Sequence, residues 1–284
     1  MSSTARSPVA GAFTLLGVIF LWAPLLLVVL FSLHSTGSLT FPFQGFSLRW
    51  YEEIFSSEQV RLAAQNSLIV ATASALITLL LGTLAAYGLA RTRSRLRGPL
   101  ALLFFLPITL PGLFIGIALL VAFSRVQVTL SLVTVTIAHL VYVFPFFFLI
   151  ARAALERLDP ALEETAADLG ANRWTVFRRV TIPQVWPILV GAACLAFALS
   201  FDEFVITFFV IGPDSTLPLF IWSSLRRTVD PSINAISSLL LLFTLILFMV
   251  TFALATWGER RRRGRGLAED PLALTPVPVA KGSA

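Results

Sequence analysis

Six long runs of apolar residues dominate this chain and restrict what it can fold into. They occupy residues 9–32, 66–90, 99–123, 129–151, 186–212 and 233–257. A bilayer core is crossed by about 20 apolar residues in helical form, and each run meets that length. Backbone polar groups find no water inside lipid, so each run must be a helix. The sequence therefore predicts an all-α integral membrane protein with six transmembrane helices in one domain over residues 9–257.

The composition agrees with this class and excludes others. Hydrophobic residues make up 57% of the 284 residues and charged residues 13%, whereas soluble domains carry about 25% charged residues. The single Cys194 excludes an intrachain disulfide, and neither it nor the two histidines makes a metal-site spacing. The net charge is +6, but nearly all basic residues are arginines in short loops, which indicates membrane orientation and not nucleic-acid binding.

The distribution of basic residues predicts the orientation. Of the 21 Lys and Arg residues, sixteen fall on one side of the predicted spans and five on the other. Cytoplasmic loops carry the excess of positive charge, so both termini are predicted to be cytoplasmic. Residues 1–8 form the N-terminus, and residues 258–284, basic and then rich in Pro, Gly and Ala, form a disordered tail. Its arginine run, 260–263, is expected to lie against anionic lipid head groups.

The first apolar run and the segment after it are interpreted together. The run is too long for a signal peptide and no small-residue cleavage site follows it, so we interpret it as a retained anchor. The following segment, residues 33–65, carries Trp50, Tyr51, Glu52 and Glu53. This mixture predicts short amphipathic helices at the outer membrane interface.

The longest predicted cytoplasmic connection, residues 152–185, has helix signals at defined positions. Pro160 can begin a helix, Gly170 can end it in the left-handed conformation, and Asn172 can cap a second short helix. Pro183 is expected to stop that second helix before the fifth span. The pair exposes apolar side chains on one face, which indicates a docking surface for a partner protein. These side chains are Leu162, Ala166, Leu169, Trp174, Phe177 and Val180.

This loop resembles the EAA loop of ABC-importer permeases. The family pattern is E-A-A, three residues, G, nine residues, then I-x-L-P. The chain has Glu164-Thr165-Ala166, then Gly170, then Val180-Thr181-Ile182-Pro183, with Thr165 in place of the first alanine. Other stretches are similar to the spermidine/putrescine branch of that family. They are Asn66-Ser67, Leu106-Pro107, Leu110-Pro111, Gly116, Ser200-Phe201-Asp202-Glu203-Phe204, Gly212-Pro213 and Leu217-Pro218.

The resemblance implies a type I ABC-importer permease fold in a bacterial inner membrane and a set of partners. Two permease subunits, different but related, form the pathway for polyamines or a related small solute. A cytoplasmic ATPase dimer binds the EAA loops, and a solute-binding protein delivers solute from outside. By their match to the family pattern, the residues that the resemblance assigns to ATPase coupling are Glu164, Thr165, Ala166, Gly170 and Pro183. The chain has no G-x-x-x-x-G-K-[ST] loop. It is therefore expected to bind no cofactor and to be no enzyme itself, and ATP and Mg²⁺ are expected to bind to the partner ATPase.

Acidic residues inside the fifth apolar run indicate a second candidate site. An Asp at the centre of a membrane helix costs about 2.5–3.5 kcal/mol, and such residues usually face a cavity or a partner. Ser200, Glu203 and Thr207 fall at i, i+3 and i+7, on one helix face. We therefore hypothesise that these three residues and Asp202 line the solute path. The alternative is that Asp202 and Glu203 pair with arginines or lie at the outer interface.

Other polar and proline positions are interpreted structurally. Small residues at helical spacing in the second run predict close helix packing, Pro107 and Pro111 predict a kink in the third run, and His139 in the fourth run is assigned to internal hydrogen bonding. The packing residues are Ser67, Ala71, Ser74 and Thr78.

Two other classes of function remain open at this point. A stand-alone secondary transporter or channel would explain six spans and the acidic pair, but not the spacing of the EAA loop. A membrane enzyme has no support from a metal motif or an activated nucleophile.

Overall fold

The computed structural model describes residues 8–37, 43–92, 94–226 and 231–268. Over these residues the chain is helical, and its only β pairing there is an isolated bridge between His34 and Phe46. The helices are α1 (Pro8–Ser32), α2 (Arg49–Ser56), α3 (Glu58–Arg91), α4 (Arg97–Phe105), α5 (Gly112–Arg125), α6 (Leu132–Glu156), α7 (Pro160–Asp168), α8 (Arg173–Val176), α9 (Ile182–Asp202), α10 (Val205–Val210), α11 (Leu217–Leu225) and α12 (Pro231–Ala268).

Five of the helices in the described ranges are long and apolar enough to cross a membrane. They are Gly11–Ser32, Glu58–Arg91, Leu132–Glu156, Arg173–Asp202 and Pro231–Ala253. A sixth span is obtained when the bent pair Arg97–Thr109 and Gly112–Arg125 is counted as one. The predicted number of spans and the all-α class therefore agree with the structure.

The third predicted span, residues 99–123, is sharply bent. After α4, a 3₁₀ turn covers Leu106–Thr109, and the helix is interrupted until α5 begins at Gly112. Leu110 is extended (φ −96°, ψ 131°), as expected for a residue that precedes a proline. The kink expected from Pro107 and Pro111 is present, and it is a complete break in the helix.

The second predicted span begins earlier than expected. α3 starts at Glu58 and its 34 residues rise about 51 Å, which exceeds the roughly 30 Å of a bilayer core. Residues 58–65 therefore continue a span and do not form a separate interfacial helix. In the described part of residues 33–65, one amphipathic helix remains, α2, which buries Trp50 and Ile54.

The fifth predicted span continues from the preceding loop helix, so Pro183 does not stop that helix. α8 passes through one π-helical turn, Phe177–Thr181, into α9, and Arg173–Asp202 forms one helix of 30 residues. A π turn interrupts the i→i−4 hydrogen-bond pattern. Pro183, which has no N–H to donate, is therefore tolerated directly after the turn.

The last helix is longer than the predicted span. α12 reaches Ala268 and does not end at residue 257, so residues 258–268 are helical and the predicted disorder is wrong for them. Arginine is a good helix former, so the basic residues that follow the span extend the helix. Residues 1–7 of the predicted N-terminus and residues 269–284 of the predicted tail lie outside the described residues.

The chain divides into two compact units. Unit 1 comprises Met1–Ala71, Gly112–His139 and Phe201–Ile246, and unit 2 comprises Thr72–Pro111, Leu140–Ser200 and Leu247–Ala284. In unit 2, a buried cluster includes Phe147, Leu155, Val185 and Leu189, contributed by α6 and α9. This core supports the loop of residues 152–185.

Unit 1 depends on close packing of small residues. A Cβ built on Gly116 of α5 would lie 2.8 Å from Cδ2 of Phe209 and 3.3 Å from Cα of Ile206 in α10. Ser67 Oγ accepts a hydrogen bond from Leu217 N (2.8 Å), and Asn66 Nδ2 donates to Ser215 O (2.9 Å). The predicted packing residues of α3 are buried at Ser67 and Ala71 in unit 1, and at Ser74 and Thr78 in unit 2.

We expect Gly82→Ala to lower the melting temperature of the purified chain. A Cβ at residue 82 would lie 2.8 Å from Cε1 of Phe147, whose side chain is fully buried. Overpacking costs about 1–3 kcal/mol, more than the roughly 1 kcal/mol that Ala gains over Gly in a helix. Gly88→Ala in the same helix is the control, because no described atom lies within 4 Å of a Cβ there. Equal melting temperatures for the two variants, measured in detergent, would contradict this packing.

Candidate functional site

The first half of the candidate coupling loop is a short capped helix, as predicted. Pro160 is the first residue of α7, and the Asp159 side chain accepts a hydrogen bond from Ala161 N at 3.0 Å. This bond satisfies one of the backbone donors left unpaired in the first turn of a helix. Thr165, which stands where the family has alanine, donates its hydroxyl to Ala161 O at 2.8 Å. The substitution therefore adds no unsatisfied polar group to the helix.

Gly170 ends α7 in the left-handed conformation, also as predicted. Its φ is +86°, a value that L side chains adopt only with strain. Ala171 N donates to Ala166 O (3.1 Å) and Gly170 N donates to Ala167 O (2.9 Å), which is the hydrogen-bond pattern of a Schellman C-cap. Asn172 then caps α8 by accepting from Thr175 N at 2.8 Å. The loop is thus a helix–turn–helix with a fixed turn.

This helix–turn–helix exposes large apolar side chains. Leu169 is 85% exposed and Trp174 is 62% exposed, and Leu162 and Glu164 are exposed as well. Large exposed apolar residues beside a charge are typical of protein contact surfaces. We call Leu162, Glu164, Leu169 and Trp174 the coupling surface.

The side of α7 that bears Glu163 is held by an ion pair that sequence analysis missed. Glu163 binds the Arg91 guanidinium with both carboxylate oxygens, at 2.7 Å from Nε and 2.8 Å from Nη2. Thr181 donates its hydroxyl to Glu163 Oε1 at 2.7 Å. The side chains of Arg91 and Glu163 are only 23% and 15% exposed. Glu163 therefore ties α7 to the end of α3 and to the π turn that leads into α9.

The local electrostatics favour the charged form of Glu163. Partial burial by itself raises the pKa of a carboxyl, but the hydrogen bonds from Arg91 and Thr181, with the charge of Arg91, outweigh it and hold the pKa of Glu163 below its ordinary value. Because the pKa of Glu163 is lower in the folded state, the charged carboxylate stabilises the fold fully at any pH above the ordinary carboxyl pKa. It is lost only as the pH falls through the lowered value.

The two neighbouring acids of the loop thus have different roles in the structure. Successive residues are about 100° apart around a helix, so Glu163 faces the protein while Glu164 belongs to the coupling surface. The partner Arg91 is 72 residues away in sequence. No local pattern pairs the two, and the only signal was the position of Arg91 at the end of an apolar run.

The second candidate site, the acidic pair, lies at a break in the helix. α9 ends at Asp202, which is exposed, and α10 begins at Val205. Glu203 is half-buried, and its Oε1 accepts a hydrogen bond from Ile206 N at 2.9 Å, so this carboxylate caps α10. Across the described residues no salt bridge joins Asp202 or Glu203 to a basic residue.

The premise that Ser200, Glu203 and Thr207 share one helix face is wrong, because α9 ends at Asp202 and α10 begins only at Val205. Ser200 and Thr207 are both buried. The Thr207 hydroxyl donates to Glu203 O (2.9 Å) and lies 2.9 Å from His139 Nε2. A hydroxyl has one proton to donate, so Nε2 of His139 is the donor in the second bond. This agrees with the internal hydrogen-bonding assignment of His139, and it leaves Asp202 and Glu203 as the accessible members of the predicted set.

Comparison with known proteins identifies the family of this architecture. The family described as "Binding-protein-dependent transport system inner membrane component" matches residues 78–264. The chain is 34% identical to the putrescine transport system permease protein PotI of Escherichia coli K12 over 266 residues, which covers 90% of this chain and 94% of PotI. It is 30% identical to the spermidine/putrescine transport system permease protein PotC of the same strain, covering 83% and 89%.

A solved structure shares the fold. It belongs to a bacterial ABC transporter involved in the import of the acidic polysaccharide alginate, with a TM-score of 0.72 and 15% identity over 89% of this chain and 99% of that one. The predicted type I ABC-importer permease fold is confirmed. The chain belongs to the family of binding-protein-dependent transport system inner membrane components.

Proposed function

We propose that this permease subunit imports polyamines such as putrescine or spermidine, driven by ATP that a partner ATPase hydrolyses. The ATP-driven part of the proposal is supported by the helix–turn–helix, whose coupling surface is exposed while Glu163 anchors α7 to Arg91 and Thr181. The polyamine part is supported by the relatives PotI and PotC, whose names specify these solutes. Polyamines are cationic, and the accessible carboxyl groups of Asp202 and Glu203 have the complementary charge.

The proposed assembly is the one that membership of the family implies. A cytoplasmic ATPase dimer binds ATP and Mg²⁺ and contacts the coupling surface of each permease. A second, related permease supplies the other half of the pathway, and a solute-binding protein delivers the polyamine from outside. Both termini then face the cytoplasm, on the same side as α7, in agreement with the excess of arginine there. The chain itself carries out no hydrolysis.

The direct test is copurification followed by transport. The tagged chain is extracted from its native cell in mild detergent, and an ATPase and a second six-span permease are expected with it. The reconstituted complex is expected to accumulate labelled putrescine only with ATP and the binding protein. A chain that purifies alone and moves putrescine without ATP would support the secondary-transporter alternative and overturn this proposal.

Glu163→Gln is expected to lower the number of solute molecules moved per ATP while the ATPase stays bound. Glutamine keeps an acceptor for Thr181 but loses the charge that pairs with Arg91, and hydrogen bonds to charged groups contribute about 1.5–3 kcal/mol. Uptake and phosphate release are measured on the same proteoliposomes. Glu164→Gln is the matched control, because Glu164 belongs to the coupling surface and its loss is expected to reduce ATPase copurification. The reverse pattern would show that the two faces are assigned wrongly.

Gly170→Ala is expected to weaken retention of the ATPase more than Gly170→Asn does. A non-glycine residue in the left-handed region costs about 1–2 kcal/mol, and asparagine is among the residues that tolerate it best. No described atom lies within 4 Å of a Cβ at this position, so the comparison reports backbone strain and not crowding. Retention is quantified on affinity-purified complexes. Equal retention by both variants would mean that the turn does not position the coupling surface.

Asp202→Asn and Glu203→Gln are each expected to impair putrescine uptake by a complex that still assembles. Glutamine retains an oxygen that can accept from Ile206 N, so α10 keeps its cap and the variant isolates the loss of charge. Glu203→Ala, which loses the cap as well, is expected to lower stability in addition. Initial uptake rates are compared at equal amounts of assembled complex. Normal uptake by both isosteric variants would remove these carboxyl groups from the solute path.

A further inference from the structure

A groove in unit 2 has a surface that the transport function leaves unexplained. It lies between α4 and α6, has a volume of about 400 Å³ and is lined by apolar side chains that include Leu102, Phe105, Leu149 and Ala153. Leu102 and Leu149 are both exposed. The two helices are held together beside the groove by Phe104, whose ring centroid lies 5.3 Å from Phe144 and 5.2 Å from Phe148. These ring contacts join α4 and α6 directly beside the groove.

One end of the groove carries two arginines and one carboxylate. Glu156 Oε1 accepts from Arg97 Nη2 at 2.6 Å and from Arg152 Nε at 2.9 Å. Arg152 and Glu156 also line the groove. Each guanidinium has five N–H donors and uses one of them in its hydrogen bond to Glu156. This end of the groove, which we call the rim, therefore keeps a net positive charge. It also keeps unused N–H donors in the fork geometry that suits a phosphate group.

The position of the rim along the helix matches the layers of a bilayer. Glu156 is the last residue of α6, and the cap of the coupling helix follows at Asp159. Leu149 lies seven residues before Glu156, about 10 Å along the helix. The head-group region of one leaflet is roughly 5–7 Å deep. When the rim lies at the head groups, the apolar walls therefore lie at the depth of the acyl chains.

We propose that this groove is a binding site for an anionic phospholipid of the leaflet that faces the coupling helix. The lipid phosphate binds Arg97 and Arg152 in competition with Glu156, and an acyl chain lies along Leu102 and Leu149. A free phosphate ion would leave the apolar walls uncovered. A zwitterionic lipid would offer the same acyl chain but a head group without net negative charge. The site is independent of which solute the importer carries.

The test uses native mass spectrometry of the full chain incubated with phosphatidylglycerol or phosphatidylcholine. The wild type is expected to retain phosphatidylglycerol preferentially. A basic residue near a membrane surface contributes about 1 kcal/mol toward anionic lipid, which is about fivefold, so Arg97→Gln and Arg152→Gln should each reduce the preference about fivefold. Arg157→Gln is the control, because Arg157 is exposed next to Glu156 but, unlike Arg97 and Arg152, forms no ion pair with Glu156 among the described residues. Its preference should stay unchanged.

Two further variants separate the parts of the proposal. Glu156→Gln removes the competing carboxylate and is expected to increase retention of phosphatidylglycerol. Ala153→Phe fills the groove without a change of charge and is expected to reduce retention of both lipids. Inorganic phosphate at millimolar concentration should not compete, and competition would show a free-anion site. An equal effect of Arg157→Gln and Arg97→Gln, in variants of unchanged melting temperature, would show general surface attraction and overturn the proposal.

Discussion

Backbone hydrogen bonding without water governs where this chain can bend. Inside lipid every peptide group must be paired within the protein, so a span can break only where side chains or other helices satisfy the freed groups. At the first break, Thr109 Oγ1 donates to Leu106 O (2.7 Å). At the second, Glu203 Oε1 accepts from Ile206 N. Within unit 1 the segments that follow these breaks, α5 and α10, pack against each other, and Gly116 permits their close approach.

The same requirement explains the acidic residues. A carboxylate in a dry environment is costly unless it is paired or hydrogen-bonded. Glu163 satisfies this by pairing with Arg91 and Thr181, and Glu203 satisfies it by capping α10. Asp202 is exposed where α9 ends. The acidic residues thus either anchor one helix to another, as Glu163 does, or lie at the end of a helix, as Asp202 and Glu203 do. The first arrangement belongs to the proposed ATPase contact and the second to the proposed solute path.

Local sequence signals predicted the parts of the fold that depend on local chemistry. Runs of apolar residues located the spans, Asn172 and Gly170 located the caps, and the prolines located the bend of the third span. Predictions failed where contacts distant in sequence decide the outcome. After the break at Asp202, α10 packs against α5, which is distant in sequence, and the pair of Arg91 with Glu163 joins residues that are 72 positions apart. Helix ends were also missed, because α3 and α12 continue as helices beyond their apolar runs.

One continuous helix connects the two candidate sites. Arg173–Asp202 carries Trp174 of the coupling surface near its first residue and Asp202 at its last. Its 30 residues rise about 45 Å, longer than the core of a bilayer. The π turn Phe177–Thr181 is the least regular part of this helix, and Thr181 within it binds Glu163. The ion pair thus braces this helix at the π turn, where its backbone hydrogen bonding is least regular.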